Sequence, residues 1–425
     1  MNSTSPKPPL TGIRVIDFSE VWAGPMGTSI MADLGAHVVK VESYPRAPQT
    51  RPTSTPAGAW GFAAGPDRPW DRAAAQNMAN RNKDGIALNA RDDLGREVFK
   101  RLVAVSDVLV DGYSAGAMDR MGLGYEVLEQ INPGLIMVSM PGWGSDGPYS
   151  GYVSLGSSVD ATAGHHYLRS YPDADPSQNS ACVHPDAVGA VTLVFAVTTA
   201  LFHRRRTGLG AWIDLSQHEA FLGHMAYPLL DYQFNGRVAE PLGNRDRTMA
   251  PHGSYSCRGQ DDWIVICVES DIEWGTLCDL LDRPDLRSID RYRNQDLLDG
   301  VIAEWTRPQE KIALAQRLQS AGIHAAPVLK EMEVLNDPHL AARAFFQTVD
   351  HKVIGPRVYP GPLWRQTGLD PTIRSGPNAL GEHNAQVVQQ LLGLANTEYA
   401  ALTARGALGD AYRSDAGIDE RDRRG

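Results

Sequence analysis

Cysteine is scarce in this chain, which holds only four in 425 residues: Cys182, Cys257, Cys267 and Cys278. They are too few and too scattered for a disulfide scaffold, and no CxxC pair indicates a zinc ribbon. P-loop and HExxH motifs are also missing, and residues 21–27 hold only two glycines of a dinucleotide fingerprint. The sequence therefore predicts no bound metal and no tightly bound cofactor.

Clustered positive charge and long apolar runs are missing as well. The chain has 40 Lys+Arg against 50 Asp+Glu, a net charge of −10, which argues against nucleic-acid or membrane-surface partners. No stretch reaches ~18 uninterrupted apolar residues, so we expect no transmembrane helix and interpret residues 187–202 as a buried helix. Since the first residues also lack the apolar core of a signal peptide, we expect a soluble, cytoplasmic protein.

What the chain does contain is an alternation of strand and helix patterns. Residues 12–18 predict a buried strand, 26–34 a helix that Gly35 ends, and 36–42 a second strand. Further strands are predicted at 85–89, 107–111, 135–139 and 211–215, and helices at 93–105, 188–206 and 216–230. This alternation predicts an α/β fold with a parallel sheet, which binds ligands at the carboxyl ends of its strands.

Asp186 has an unusual setting, because Pro185 precedes it and a long apolar helix follows. Aspartate is a favoured N-cap, since its carboxylate accepts hydrogen bonds from the free N–H groups of the first turn. The same N–H groups and the helix dipole favour an ionised carboxylate. An ionised carboxylate that faces a dry pocket can act as a nucleophile, so the residues alone leave both roles open.

Several segments, taken in order, resemble the class III CoA-transferases of the formyl-CoA transferase and carnitine CoA-transferase type. They fall between residues 9 and 405 and include PLTGIRVIDFSEVWAGPMG, GWGSDGP, HPDAVGA, RRRTGLGAWIDLS and GEHNAQVVQQLLGL. The resemblance implies an enzyme that moves CoA from an acyl-CoA thioester to a free carboxylic acid, with acyl-CoA as co-substrate. It also implies that Asp186 is the nucleophile and forms a mixed anhydride and then an aspartyl-CoA thioester.

The resemblance implies an architecture too, namely a Rossmann-like large domain built from both chain ends, a smaller α+β domain, and an interlocked homodimer. On this basis we expect a flexible N-terminus at 1–9, the first part of the large domain at 10–230 and the small domain at 231–330. A segment at 331–405 would return to complete the large domain, and a charged tail would follow at 406–425.

The CoA contacts of the family transfer only in part. The resemblance places the adenine side of CoA at Asn77, Met78 and Ala79, and a CoA phosphate at Arg120. Other phosphate contacts are missing, because the family's Arg, Asn and Lys are replaced here by Ser43, Gly112 and Pro141. The pyrophosphate must then be held differently, and Arg46, Arg51 and Lys83 are equal candidates.

Two tryptophans fall beside the expected thioester. Trp22 and Trp143 stand where formyl-CoA transferase has Gln and Tyr. Two indoles suggest a bulky apolar acyl group or a smaller pocket, and core packing is the alternative role. Between Gly243 and His252 the glycine run of oxalate-specific members is absent, which disfavours oxalate as the acceptor.

Three other activities remain open. An α-methylacyl-CoA racemase shares this fold, but its catalytic histidine falls on Leu155, which cannot move a proton. A CoA-dependent lyase could use the same aspartate. A non-catalytic acyl-CoA-binding protein of the same fold is the third alternative, although the presence of Asp186 argues against it.

Overall fold

The computed structural model describes residues 7–54, 61, 63, 65, 67–180, 182–367, 369 and 372–412. The chain divides into two compact units. One combines Met1–Ala163, Ala181–Leu229 and Ala341–Gly425, and the other combines Gly164–Ser180 with Leu230–Leu340. Residues 1–6 and 413–425, which hold most of the expected flexible N-terminus and charged tail, lie outside the described residues.

The described residues form the following elements. The strands are β1 Arg14–Phe18, β2 His37–Ser43, β3 Lys83–Leu88, β4 Val108–Asp111, β5 Ile136–Ser139, β6 Ala211–Asp214, β7 His252–Ser256, β8 Trp263–Cys267, β9 His324–Val328, β10 Phe346–Val349 and β11 Arg357–Pro360. The α-helices are α1 Ala23–Asp33, α2 Ala74–Met78, α3 Asp93–Ala104, α4 Ala117–Arg120, α5 Tyr125–Ile131, α6 Gly156–Thr162, α7 His165–Leu168, α8 His184–Thr207, α9 Gln217–Leu222, α10 Ala226–Asn235, α11 Asp271–Leu280, α12 Gln295–Thr306, α13 Lys311–Ser320, α14 Glu331–Leu335, α15 Pro338–Ala342 and α16 Asn396–Arg405.

A six-stranded sheet forms the centre of the first unit, in the order β3–β2–β1–β4–β5–β6. Every neighbouring pair is parallel, so the predicted α/β fold with a parallel sheet is confirmed. The central strands are mostly apolar and buried, as expected where both faces of a parallel sheet are covered. The strand order reverses between β1 and β4, and ligands of such sheets bind outside the carboxyl ends at that point.

Two apolar cores lie on opposite faces of this sheet because successive strand residues point to opposite sides. On one face, Ile16 and Leu109 pack with α3 and α5. On the other face, Val15 and Val110 pack with α1 and α8. The second core fixes α1 and α8 against the same face, which brings the first turns of both helices to the carboxyl edge of the sheet.

The segment after residue 341 packs on the N-terminal part of the same unit. Val387, Val388 and Leu402 are buried in the core that contains Ile16. The Asn384 side chain accepts a hydrogen bond from the Ala87 backbone at 3.0 Å. The expected tail begins at residue 406, yet Leu408 is buried in that core. A π-helical turn forms at Gln386–Leu391.

The second unit is built on a three-stranded antiparallel sheet in the order β7–β8–β9. Strands β7 and β8 are antiparallel, with His252 opposite Cys267 and Ser256 opposite Trp263. Ile264, Ile266 and Leu277 lie in one core with residues of α12 and α13. This unit also includes 164–180 and extends to residue 340, whereas the sequence placed the small domain at 231–330.

Helix α8 is less buried than its composition predicted. Leu193 and Val197 lie in the core, but Val191, Phe195 and Phe202 are 56–70% exposed. The expectation of a buried helix is therefore wrong for one face. By length and composition alone α8 could also cross a membrane, but the core helix of a soluble protein passes the same test, so the evidence is weak.

Candidate active site

Asp186 lies in the first turn of α8, which begins at His184, four residues earlier than expected. The N-cap is Val183, without a side-chain cap, so the N-cap role expected for Asp186 is wrong. The helix extends back across Pro185 because proline fits a first turn, where a backbone N–H has no helical partner to lose.

The Asp186 side chain is buried, and the residue is only 8% exposed. Burial raises its pKa from 3.8 to about 6, and one backbone N–H partly offsets that effect. The expectation that this position favours an ionised carboxylate is therefore wrong in sign, because desolvation outweighs the N–H groups. No lysine or arginine of the described chain pairs with Asp186, so the ionised form has no counter-charge.

The backbone of α6 packs directly against this carboxylate. A Cβ placed on Gly156 would lie 1.8 Å from Oδ2 of Asp186, far inside the ordinary contact distance. Only glycine leaves that volume to the carboxylate. Leu155 precedes it and is 51% exposed, so the position that the racemase histidine would take is next to the residue that contacts Asp186.

Trp22 lies in the turn between β1 and α1, at the carboxyl edge of the sheet. Val21 has a φ of 67° there, which is costly for a β-branched residue and marks a strained turn. The turn is close to α8, since a Cβ on Gly189 would be 3.7 Å from Cβ of Ala23. The buried indole N–H of Trp22 has no hydrogen-bond partner among the described residues.

Trp143 lies in the loop that leaves the carboxyl end of β5. Its ring centroid is 5.2 Å from that of His218 and 6.1 Å from that of Tyr149. The same loop is tied to α9, because the Gln217 amide donates to the Met140 carbonyl at 3.0 Å. In the described part of the chain, the Trp143 indole N–H also lacks a partner. Buried indole N–H groups usually have one, so both tryptophans present a free donor.

The segment expected at the adenine side of CoA contains mainly buried side chains. Asn77 is 3% exposed and donates to the Asp71 carbonyl at 3.2 Å. Ala79 is fully buried, and its carbonyl accepts from Ser29 Oγ at 2.7 Å. Met78 is half-buried, so it offers the apolar surface of this segment. The CoA contact itself stays a prediction.

Arg120 lies exposed at the end of α4, a short helix after β4. Its guanidinium donates to the Ala115 carbonyl at 3.3 Å and forms no ion pair within the described ranges. The charge is therefore available to an anionic ligand. Its predicted phosphate contact is compatible with this placement and stays a prediction.

The structure separates the three candidates for the pyrophosphate. Arg51 is fully buried and pairs with Glu42 and with Asp71, the latter at 2.6 Å. Lys83 is 2% exposed. Arg46 instead is half-exposed and holds Glu20 with two 3.2 Å contacts at the carboxyl end of β1. Of the three, only Arg46 can reach a ligand.

Lys83 has a structural role below the site. Its ammonium donates to Asp17 at 2.9 Å, to the Pro25 carbonyl at 2.7 Å and to the Ala79 carbonyl at 2.9 Å. Burial lowers the Lys83 pKa to about 8, while Asp17 opposes that effect. This lysine therefore fixes the turn that carries Trp22 relative to the predicted adenine segment.

Some notable residues could not be recognised from the sequence. Gly156 and the buried Asp111, whose pKa burial raises to about 7, are ordinary residue types in unremarkable patterns. Cys182 and His184 form a hydrogen-bonded pair just before Asp186. Their i,i+2 spacing is the feature of the sequence that could have indicated this pair.

In the second unit Glu269, Glu273 and His324 could together hold a metal ion, but surface carboxylates of this kind are common without one.

Known proteins resemble this chain over most of its length. The pattern of CoA-transferase family III matches residues 10–384, so the chain belongs to that family and is a CoA-transferase. It is 32% identical to the acetyl-CoA:oxalate CoA-transferase of Acetobacter aceti over 80% of this chain and 85% of that one. It is 30% identical to the succinyl-CoA–D-citramalate CoA-transferase of Chloroflexus aurantiacus over 95% and 99%. A CAIB/BAIF family protein from Brucella suis superposes with a TM-score of 0.80, at 29% identity, covering 91% of this chain and 100% of that structure.

Proposed function

We propose that this enzyme transfers CoA between carboxylic acids through covalent intermediates on Asp186. The observation that carries the proposal is the burial of this carboxylate without a cation. A carboxylate that has lost hydration and has no counter-ion is a stronger nucleophile than one in water. With a pKa of about 6 it is mostly ionised at neutral pH.

The reaction proceeds by exchange at two carbonyl groups. An Asp186 oxygen attacks the acyl carbon of the donor, the C–S bond breaks, and a mixed anhydride and the CoA thiolate form. The thiolate attacks the aspartyl carbon, which releases the donor acid and leaves an aspartyl-CoA thioester. The acceptor carboxylate then repeats both steps in reverse. Each tetrahedral intermediate needs hydrogen-bond donors, and the backbone N–H groups of the glycine-rich turn at 142–144 are candidates.

The CoA moiety occupies the carboxyl edge of the sheet in this proposal. Met78 covers the adenine, with Asn77 and Ala79 shaping the segment beneath it. Arg120 meets one phosphate, and Arg46 exchanges Glu20 for the pyrophosphate. The exposure of both guanidiniums supports these roles. Ser43 does not replace the phosphate contact that an arginine makes in other family members, because its hydroxyl donates a hydrogen bond to Glu20 instead.

The α-methylacyl-CoA racemase activity lacks support at this site. A racemase requires two bases, and Leu155, which cannot act as a base, occupies the position of the second one.

The acceptors named for similar enzymes, oxalate and D-citramalate, are dicarboxylic acids, so we propose a dicarboxylic acid as acceptor here. Oxalate is the disfavoured member of that class because the glycine run is absent.

We further propose that the first unit is a Rossmann-like domain and that the protein is a cytoplasmic, interlocked homodimer without a tightly bound cofactor. The strand order supports the first point. The exposed Val191, Phe195 and Phe202 of α8 support the dimer, since a second chain would cover this apolar surface. The scarcity of cysteine is in keeping with a reducing compartment.

The proposed function is tested by incubating the protein with acyl-CoA donors and a panel of carboxylic acids, followed by mass spectrometry. We expect a new CoA ester of the acceptor and, without acceptor, a hydroxylamine-sensitive CoA adduct on Asp186. Asp186→Ala should lose both. A folded Asp186→Ala variant that still transfers CoA would show that another group is the nucleophile.

A further inference from the structure

A cysteine and a histidine form a pair just ahead of the nucleophile. Sγ of Cys182 lies 2.8 Å from Nδ1 of His184. Cys182 is half-buried and His184 is exposed, so reagents in solution can reach both. The imidazole can take the thiol proton, and a paired imidazole is a common means of making a cysteine nucleophilic.

The other cysteines of the chain have inert surroundings. Burial raises the thiol pKa of Cys257, Cys267 and Cys278. No hydrogen bond from a histidine ring to these three thiols occurs in the described part of the chain. The Cys182–His184 pair is therefore chemically distinct.

The pair is also close to the site where a thioester would react. Cys182 directly precedes the N-cap Val183, and Asp186 is in the first turn. Four residues of chain confine the two α-carbons to within about 14 Å, and the residue before an N-cap commonly packs over the first turn. The pair therefore lies at the end of α8 that carries Asp186, where acyl-CoA is proposed to react.

We propose that Cys182, with His184 as its base, is a second acyl acceptor that exchanges its thiol with CoA thioesters. Asp186 takes the acyl group as an anhydride, whereas Cys182 would hold it as a protein thioester. This modification site depends on the proposed function only for the delivery of acyl-CoA to this end of α8.

The exchange needs no oxidant and no further reactant. Nδ1 of His184 accepts the thiol proton, and the Cys182 sulfur attacks the acyl carbon. A new C–S bond forms as the bond to CoA breaks, and the proton passes to the departing CoA thiolate. One thioester replaces another, so free CoA reverses the modification and the free CoA level controls its extent.

The reactivity of the pair is measured first with iodoacetamide, without CoA. Cys267 is the matched control because it is also half-buried but has no such partner. We expect Cys182 to be alkylated at least about tenfold faster than Cys267, and His184→Gln to remove most of that advantage. Equal rates for the two cysteines, or an unchanged rate in His184→Gln, would overturn the proposal.

The acyl transfer is measured next with acetyl-CoA in the full-length wild type and in Asp186→Ala, with the acetyl group located by fragmentation mass spectrometry. We expect acetyl-Cys182 in both proteins, its loss in Cys182→Ser and its removal by free CoA. No acetyl group on Cys182 in Asp186→Ala would overturn the proposal. CoA transfer to an acid is followed in the same wild-type incubation, so that a protein with transfer but without acetyl-Cys182 refutes only this inference. A protein with the adduct but without transfer refutes only the proposed function.

Discussion

Substitution of Gly156 by alanine tests how closely the backbone of α6 defines the position of the nucleophile. The added methyl group would lie 1.8 Å from Oδ2 of Asp186, whereas ordinary contacts begin at 3.4 Å. Either the carboxylate or α6 must therefore move by about 1.6 Å. Misplacement of a reacting group by about 1 Å can reduce a rate by about 100-fold, so we expect kcat to fall by at least about that factor.

The displacement should also change the pH dependence of the reaction. A carboxylate that turns away from α6 is better hydrated, so its pKa should fall from about 6 toward 3.8. The acid limb of the kcat profile should then move to lower pH, while KM for acyl-CoA changes little because Arg120 and Met78 are untouched. A purely structural defect would instead lower the melting temperature without moving the acid limb.

Gly151→Ala is the matched control for this experiment. It lies in the same region of the chain, has no positive φ, and nothing is within 4 Å of its Cβ position. We expect wild-type kinetics for this variant. If Gly156→Ala kept both the wild-type kcat and an acid limb near pH 6, the carboxylate would not depend on this contact and the geometric argument would be refuted.

Three further predictions concern the charge, the ligand and the assembly. Since the folded pKa of Asp186, about 6, exceeds its ordinary 3.8, this group binds more protons in the folded state between these values, and its contribution to wild-type stability should decline as pH rises from about 4 to about 6. Asp186→Asn should therefore be inactive but more stable than wild type at pH 7 by up to about 3 kcal/mol, and the two proteins should be equally stable at pH 3.5. Thermal unfolding at both pH values measures the difference. A variant that is less stable than wild type at pH 7 would contradict this prediction. Arg120→Ala should weaken acyl-CoA binding by about 1.5–3 kcal/mol, the range for a hydrogen bond to a charged group. Calorimetry should show an unchanged affinity for the free acceptor acid. Equal losses of affinity for both ligands would indicate a folding defect. The dimer should persist in sedimentation at nanomolar protein, because interlocked chains separate only if one unfolds, and folded monomers in reversible equilibrium would exclude the interlocked arrangement.

The sequence determined the α/β fold because strands and helices follow local apolar patterns. The strand expected at 36–42 is present as His37–Ser43, and the helix expected at 93–105 as Asp93–Ala104. The order of motifs similar to a known family also identified the family. The apolar patterns and the family motifs are formed by residues that are adjacent along the chain. They can therefore be recognised without knowledge of the folded structure.

Which charges a ligand can reach depends on the tertiary structure and could not be predicted from the sequence. Arg51 and Arg46 were equal candidates in the sequence, yet Arg51 is buried by Glu42, Asp71 and the Asn378 carbonyl, which come from distant segments. Likewise, the pKa of Asp186 depends on burial beneath α6, where Gly156 leaves room for the carboxylate. Desolvation and ion pairing depend on segments that folding brings together. They therefore cannot be predicted from residue types and local spacing alone.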